Sequence, residues 1–152
     1  MYQEPKMEKL TINLPPMELA RMDLLVEAGY YPSRTEFIRA AIRTQLDGHQ
    51  DFIQKQISSI TMPFGEEHIE GEKETRFYGA GILSLNKEDF EETIRQGKSM
   101  KITAIGMLRI AKDVTPQHIE KAVVGVKVYG ILRASPEVKA ALQRLMKQGA
   151  GA

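Results

Sequence analysis

Three polar side chains near the start of the chain are spaced two residues apart, at Lys9, Thr11 and Asn13. In an extended strand this spacing places them on one face, because successive side chains point to opposite sides. An ammonium, a hydroxyl and a carboxamide are groups that hydrogen-bond the edges of base pairs. The pattern indicates base contacts, while an edge strand with ordinary polar residues facing water is the alternative.

The residues that alternate with them are apolar: Leu10, Ile12 and Leu14. A lone strand leaves its backbone N–H and C=O groups unpaired, and the sequence shows no second strand of matching length nearby. The simplest partner is the same strand from a second copy of the chain, which gives a two-fold symmetric antiparallel ribbon. A two-stranded ribbon has the width to enter the DNA major groove.

Two short amphipathic helices are predicted after this strand. Pro15 and Pro16 end the strand and are tolerated in a first helical turn, and Gly29 is placed as a helix stop. Ser33 and Glu36 form the pattern of a capping box, with Ser33 as the N-cap and Glu36 reaching back. The apolar stripe of the second helix consists of Phe37, Ile38, Ala41, Ile42 and Leu46.

The order and spacing of these segments closely resemble the ribbon-helix-helix family of DNA-binding proteins, the Arc/MetJ/CopG type. The matching segments are KLTINL at 9–14, EAGY at 27–30 and SRTEFIRAAIR at 33–43, which together span about a third of the chain. The C-terminal part of the chain is not included in the resemblance.

The resemblance implies a role for each of these segments. The outward residues of the ribbon would read bases, which assigns that role to Lys9, Thr11 and Asn13. The N-terminus of the second helix would bind a phosphate, because free backbone N–H groups and the helix dipole favour an anion there. This second role falls on Ser33, Arg34 and Thr35. The core of the dimer is predicted to consist of Leu10, Ile12, Leu14, Phe37, Ile38 and Ile42.

The charge of the chain changes along its length. The net charge is −1 over residues 1–48, −4 over 49–75 and +6 over 76–152. The first value is low for a DNA-binding surface, so binding through phosphate neutralisation should be modest or should need several dimers side by side. The charge steps favour a domain boundary in an acidic linker at 61–75. With the resemblance, this divides the chain into a ribbon-helix-helix domain at 7–60 and a C-terminal domain at 76–148. After Gly48 the second helix either continues or breaks into a third helix.

The C-terminal domain contains a repeated pattern of glycine and apolar residues. The segments 81–85, 106–110 and 130–134 align at spacings of 25 and 24 residues, and each is followed by a helix-start signal. We predict three strand-helix repeats with short strands, so that the whole chain has an α+β fold. Two alternatives are a coincidence among common residues and a single long helix over 121–134.

No catalytic, metal or cofactor site is predicted. The chain has no cysteine, and its three histidines lack the spacing of metal ligands. His68, flanked by glutamates at 66, 67 and 70, could hold a metal weakly, but a solvated loop residue is favoured. The sequence shows no membrane-length apolar run and no signal peptide, so a cytoplasmic protein without a membrane partner is expected.

Two functions from different classes are consistent with these patterns. The first is a transcriptional regulator, most simply a repressor, that binds double-stranded DNA as a homodimer. Its C-terminal domain would then join dimers into tetramers or larger assemblies, or respond to a small-molecule effector. The second is an interaction or scaffold protein, for example an antitoxin-like partner, that uses the ribbon mainly for dimerisation.

Overall fold

The computed structural model describes residues 7–61, 65–67 and 73–149. The chain has an α+β fold that divides into two compact units, Met1–Gln50 and Asp51–Ala152. The helices are α1 Pro16–Glu27, α2 Arg34–Gly48, α3 Gln50–Thr61, α4 Lys87–Arg95, α5 Pro116–Ala122 and α6 Pro136–Gly149. The strands are β1 Gly65–Glu67, β2 Glu74–Leu85, β3 Ser99–Ile110 and β4 Val123–Arg133. His68, considered above as a weak metal ligand, lies outside the described residues.

The first unit is built from α1, α2 and the extended segment that precedes them. Proline occupies the first position of α1, as predicted, where a missing N–H costs no hydrogen bond. Helix α1 ends at Glu27, and Gly29 two residues later has a φ of 82°, which prevents the helix from continuing. The N–H of Gly29 donates to Val26 O, and that of Tyr30 donates to Leu25 O, each at 3.0 Å. This pattern is a Schellman motif, so the predicted helix stop is confirmed.

The segment before α1 is not assigned to a strand within the single chain. Residues 7–13 are all exposed, and Leu10 keeps 77% of its surface accessible. A ribbon needs a second strand from a second copy, so the antiparallel ribbon stays a prediction.

At the other end of the unit, α2 stops at Gly48 and α3 begins at Gln50, so the helix breaks instead of continuing.

The second unit contains a four-stranded sheet in the order β1-β2-β3-β4. Strand β1 lies within the segment predicted as an acidic linker and pairs antiparallel with β2, whereas β2, β3 and β4 are mutually parallel. Each long strand is followed by a helix. The alternative of one helix over 121–134 is wrong, because α5 ends at Ala122 and β4 begins at Val123. The strands are also about twice the predicted length, since each begins well before its glycine.

A row of three glycines crosses this sheet. Gly81 pairs with Gly106 and Gly106 pairs with Gly130, and their φ values are 96°, 114° and 122°. A Cβ atom on Gly106 would collide with the carbonyl oxygen of Gly81, and one on Gly130 would collide with that of Gly106. Glycine is therefore required at these positions both by the backbone conformation and by the close approach of the neighbouring strand.

The core of the second unit lies between the three parallel strands and their helices. Helix α5 packs beside both α4 and α6, and one face of each strand contributes to the same buried cluster as the helices. The largest fully buried apolar side chains are Phe90, Met100, Ile102, Leu108, Ile119, Leu142 and Val138.

Among the described residues, no helix is both long and apolar enough to cross a membrane.

Candidate nucleic-acid interface

An apolar groove runs along the first unit. It has a volume of about 850 Å³, and its walls come from α1, α2 and the extended N-terminal segment. All six residues predicted for the dimer core line it: Leu10, Ile12, Leu14, Phe37, Ile38 and Ile42. Met22 and Leu25 of α1 and Ala41 of α2 complete its apolar lining, and Met22 is only 5% exposed. The structure thus brings together the predicted dimer residues around one open, mainly apolar surface.

The three residues predicted to read bases lie on the extended segment that forms one wall of this groove. Lys9, Thr11 and Asn13 are all exposed, and none of them lines the groove. The apolar residues between them do line it. The separation of polar and apolar residues expected for a strand with two different faces is therefore present in the single chain.

The N-terminus of α2 is formed by Ser33, whose Oγ accepts a hydrogen bond from the N–H of Glu36 at 3.2 Å. The predicted capping box is only half formed. The Glu36 carboxylate accepts instead from Arg39 Nη1 at 2.7 Å, because the two residues lie one helical turn apart. The turn before the helix is packed by Tyr31 and Phe37, whose rings meet edge to face with centroids 5.0 Å apart.

Arg34, the first residue of α2, forms a bidentate ion pair with Asp23 of α1. Its Nε and Nη2 donate to the two carboxylate oxygens, each at 2.6 Å. The hydrogen bond from Arg34 holds the pKa of the Asp23 carboxyl below its ordinary value, and the bond to Asp23 raises the pKa of Arg34. Both groups are solvent-exposed, so the pair is screened by salt. Sequence reasoning missed this pair because no local pattern links residues eleven positions apart.

The residues predicted to bind a phosphate are thus engaged in different ways. Ser33 caps the helix, Arg34 bonds to Asp23, and Thr35 lies at the edge of the apolar groove. The capping bond uses only the N–H of Glu36 in the first turn. The remaining N–H groups of that turn point along the helix axis, as in any helix N-terminus.

The histidine of the second unit that the structure describes, His118, has a structural role. The Nδ1 atom of His118 accepts from the N–H of Thr115 at 3.0 Å, at the start of α5. Its Nε2 lies 3.7 Å from Glu91 Oε1. Within the described ranges, no three His, Asp or Glu side chains converge as a metal site.

Comparison with known proteins defines the class of this chain. The profile of the ribbon-helix-helix transcriptional regulator family matches residues 5–139, and the chain belongs to that family. The match includes most of the second unit, so the relationship extends well beyond the N-terminal third on which the sequence resemblance rests.

A curated relative matches a short segment of the chain. The transcriptional regulator CdrS of Halobacterium salinarum is 38% identical over 45 residues, which make up 30% of this chain and 82% of CdrS. The second unit therefore has no counterpart of its size in CdrS. No solved structure matches the chain significantly.

Proposed function

We propose that this protein is a sequence-specific DNA-binding transcriptional regulator that inserts a dimeric β-ribbon into the major groove. One observation carries the proposal: the open groove of the first unit gathers all six predicted dimer residues. An open apolar groove with a polar border is typical of an interaction site. A second copy supplies the same residues in a self-complementary arrangement.

Residues 9–14 of the two copies pair antiparallel in this proposal. Pairing satisfies the backbone groups that a single extended segment leaves open, and it directs the apolar side chains into the groove. Lys9, Thr11 and Asn13 then face outward. Lysine bonds to guanine, asparagine bonds bidentately to adenine, and threonine contacts either a base edge or a thymine methyl group.

The N-terminus of α2 holds a backbone phosphate in the same proposal. The N–H groups of its first turn and the helix dipole attract the anion. Thr35 is exposed, and its hydroxyl is a second donor. Arg34 contributes through Nη1, the guanidinium nitrogen that its two hydrogen bonds to Asp23 leave unused. The Asp23 carboxylate fixes the guanidinium in place but also competes with the phosphate for it.

We assign oligomerisation to the second unit, with repression by occlusion of the DNA site as the mode of action in the cytoplasm. The first 48 residues carry a net charge of −1, so a single dimer gains little from phosphate neutralisation, and joining dimers raises the affinity by avidity. An effector response of the second unit and a purely scaffolding role of the ribbon are the competing functions.

The test is selection from a pool of random-sequence duplexes at about 150 mM salt, the physiological range. The wild-type protein should enrich a repeated half-site. Asn13→Ala should relax the selected sequence at one position of each half-site and cost about 1–3 kcal/mol there. Lys139→Ala, which removes an exposed cation from α6, is the control and should select the wild-type site. Absence of any enriched sequence would favour the scaffold.

A further inference from the structure

The sheet of the second unit has an apolar patch on the face opposite its helices. Side chains alternate along β2, β3 and β4, so residues between the buried ones point away from α4, α5 and α6. Two neighbouring rows of this outer face are apolar: Ala80–Ile105–Tyr129 and Ile82–Met107–Ile131. We call these six residues the outer patch. Ile82 is 57% exposed and Tyr129 is 45% exposed.

An exposed outer patch is unusual for this kind of sheet. Parallel strands occur almost only in sheets that are covered on both faces, and here the helices cover one. In the part of the chain that the structure describes, the helices of the parallel units all pack into the single core on the inner face. The outer face therefore has the composition of a surface that is buried in the working assembly.

Polar rows border the outer patch at both ends. Tyr78, Thr103 and Lys127 form the row on one side, and Ser84, Arg109 and Arg133 form the row on the other. An apolar centre with a polar rim is the usual layout of a protein–protein interface. A nucleic acid would instead need its cations at the centre of the contact.

The dimensions of the outer face indicate what can cover it. Three strands spaced about 4.8 Å apart, with about 3.3 Å per residue, give a surface of about 14 Å by 40 Å. Two whole outer faces placed together bury on the order of 1,100 Å², which is at the lower limit for a specific interface, and the outer patch is only the apolar centre of that area. An interface of this size is weak between free molecules. It becomes effective between copies that are already tethered, at an effective concentration in the millimolar range.

We propose that the outer patch packs against the outer patch of a second copy of this chain. The inference rests on the proposed function, because dimerisation through the first unit supplies the tether. The contact therefore forms within a ribbon dimer and does not itself join dimers into larger assemblies. Residue Met107 of the central strand lies in the middle of the three strands, so it comes close to its own counterpart across a two-fold axis. The cations of the bordering rows repel one another between copies, so added salt strengthens the contact.

The experiment uses the absence of cysteine from the natural chain, which makes an introduced thiol a unique reporter. Met107→Cys in the full-length protein is treated with a short bismaleimide, because stacked sheets lie about 10 Å apart, too far for a disulfide. We expect a cross-linked dimer, with a yield that rises with salt concentration. Lys139→Cys on α6 is the matched control and should remain uncrosslinked.

A second variant tests whether the contact between outer patches is apolar. Adding Ile131→Lys to the Met107→Cys protein should lower cross-linking about tenfold or more, because a charge would be placed in an apolar interface. Unchanged cross-linking would overturn the proposal, as would no cross-linking of Met107→Cys at any salt concentration. Protection of the introduced thiol by duplex DNA, lost as salt rises, would also overturn it and assign the outer face to nucleic acid.

Failure of this proposal can be separated from failure of the proposed function. Ile12→Lys, which acts on the first unit alone, should lower the cross-linking of Met107→Cys at low protein concentration and leave it intact at high concentration. If Ile12→Lys disrupts dimers while Met107→Cys never cross-links, the ribbon dimer stands and the outer-patch contact is wrong. If Met107→Cys cross-links equally with and without Ile12→Lys, the outer-patch contact stands and the ribbon tether is wrong.

Discussion

The carboxylate of Asp23 binds both Nε and Nη2 of Arg34 at 2.6 Å, and this pair joins the middle of α1 to the first residue of α2. Planar, bidentate pairing is also how arginine binds a phosphate, so the two anions compete for one guanidinium. The strength of the Asp23 contact therefore sets how readily Arg34 reaches DNA in the proposed complex.

Releasing Arg34 should strengthen DNA binding. In Asp23→Asn the carboxamide lacks the negative charge, so we expect affinity to rise severalfold. We also expect the slope of log affinity against log salt to steepen by about one phosphate contact. Arg34→Ala should weaken binding uniformly across sequences. Fluorescence anisotropy over a salt series measures both variants.

Asp47→Asn is the matched control for this experiment. It makes the same charge change at the far end of α2, beyond the reach of unscreened electrostatics at physiological salt. If Asp23→Asn and Asp47→Asn behave alike, the effect is one of net charge and the competition is refuted.

The same pair predicts how the first unit responds to pH. Because Arg34 lowers the pKa of Asp23 in the folded state, the pair stabilises the fold above the ordinary pKa of an aspartate. This contribution is lost as pH falls through the lowered pKa. Titration of the Asp23 carboxyl by NMR should give a lower midpoint in the wild type than in Arg34→Ala. Equal midpoints would mean that the pair is not formed in solution.

A charge in the groove of the first unit should prevent the ribbon dimer. Ile12→Lys places an ammonium among the apolar residues that line the groove, so sedimentation velocity should show half the wild-type assembly mass, with DNA binding abolished. Met17→Lys is the control, because Met17 is 72% exposed and does not line the groove. The groove is not the dimer interface if both variants keep the wild-type mass.

Substitution of Gly106, the central glycine of the row, should lower the free energy of unfolding. Gly106→Ala must adopt a φ of 114° and displace the carbonyl of Gly81, so we expect a loss of about 3 kcal/mol or more. Gly79→Ala tests the same sheet two residues before the row. There a Cβ would sit at an ordinary 3.8 Å from Leu83 Cβ, so a change within about 1 kcal/mol is expected. Urea unfolding of the full chain measures both, and equal losses would argue against the close approach.

Local signals carried most of what the sequence could predict. Gly29 ends α1 through its own backbone conformation, and Ser33 caps α2 through its own hydroxyl, so both are encoded within a few residues. The α+β class followed from similar signals, and family membership followed from the spacing of the N-terminal motifs.

Non-local contacts account for what the sequence could not predict. The first halves of β2 and β3 were missed because their mixed polar and apolar residues become a strand only when the neighbouring strand pairs with them. The Asp23–Arg34 pair depends on how two helices meet, and the ribbon depends on a second molecule. The charge step at the predicted linker carried no information about β1, whose pairing with β2 is set by tertiary structure.

The row of Gly81, Gly106 and Gly130 also marks a common reference position on the three strands, from which the facing of each side chain can be counted. Counting along the sequence from each glycine tells which way a side chain points, since odd offsets face outward and even offsets face the helices. The exception is the start of β4 before the register shift at Gly125, where Val123 is buried and Val124 is exposed. One residue inserted after Gly106 would reverse this parity for the rest of β3, turning Arg109 into the core and Leu108 out of it. The number of residues between each glycine and its neighbouring turns is therefore constrained, whereas a residue added to a turn leaves the parity of the strand unchanged.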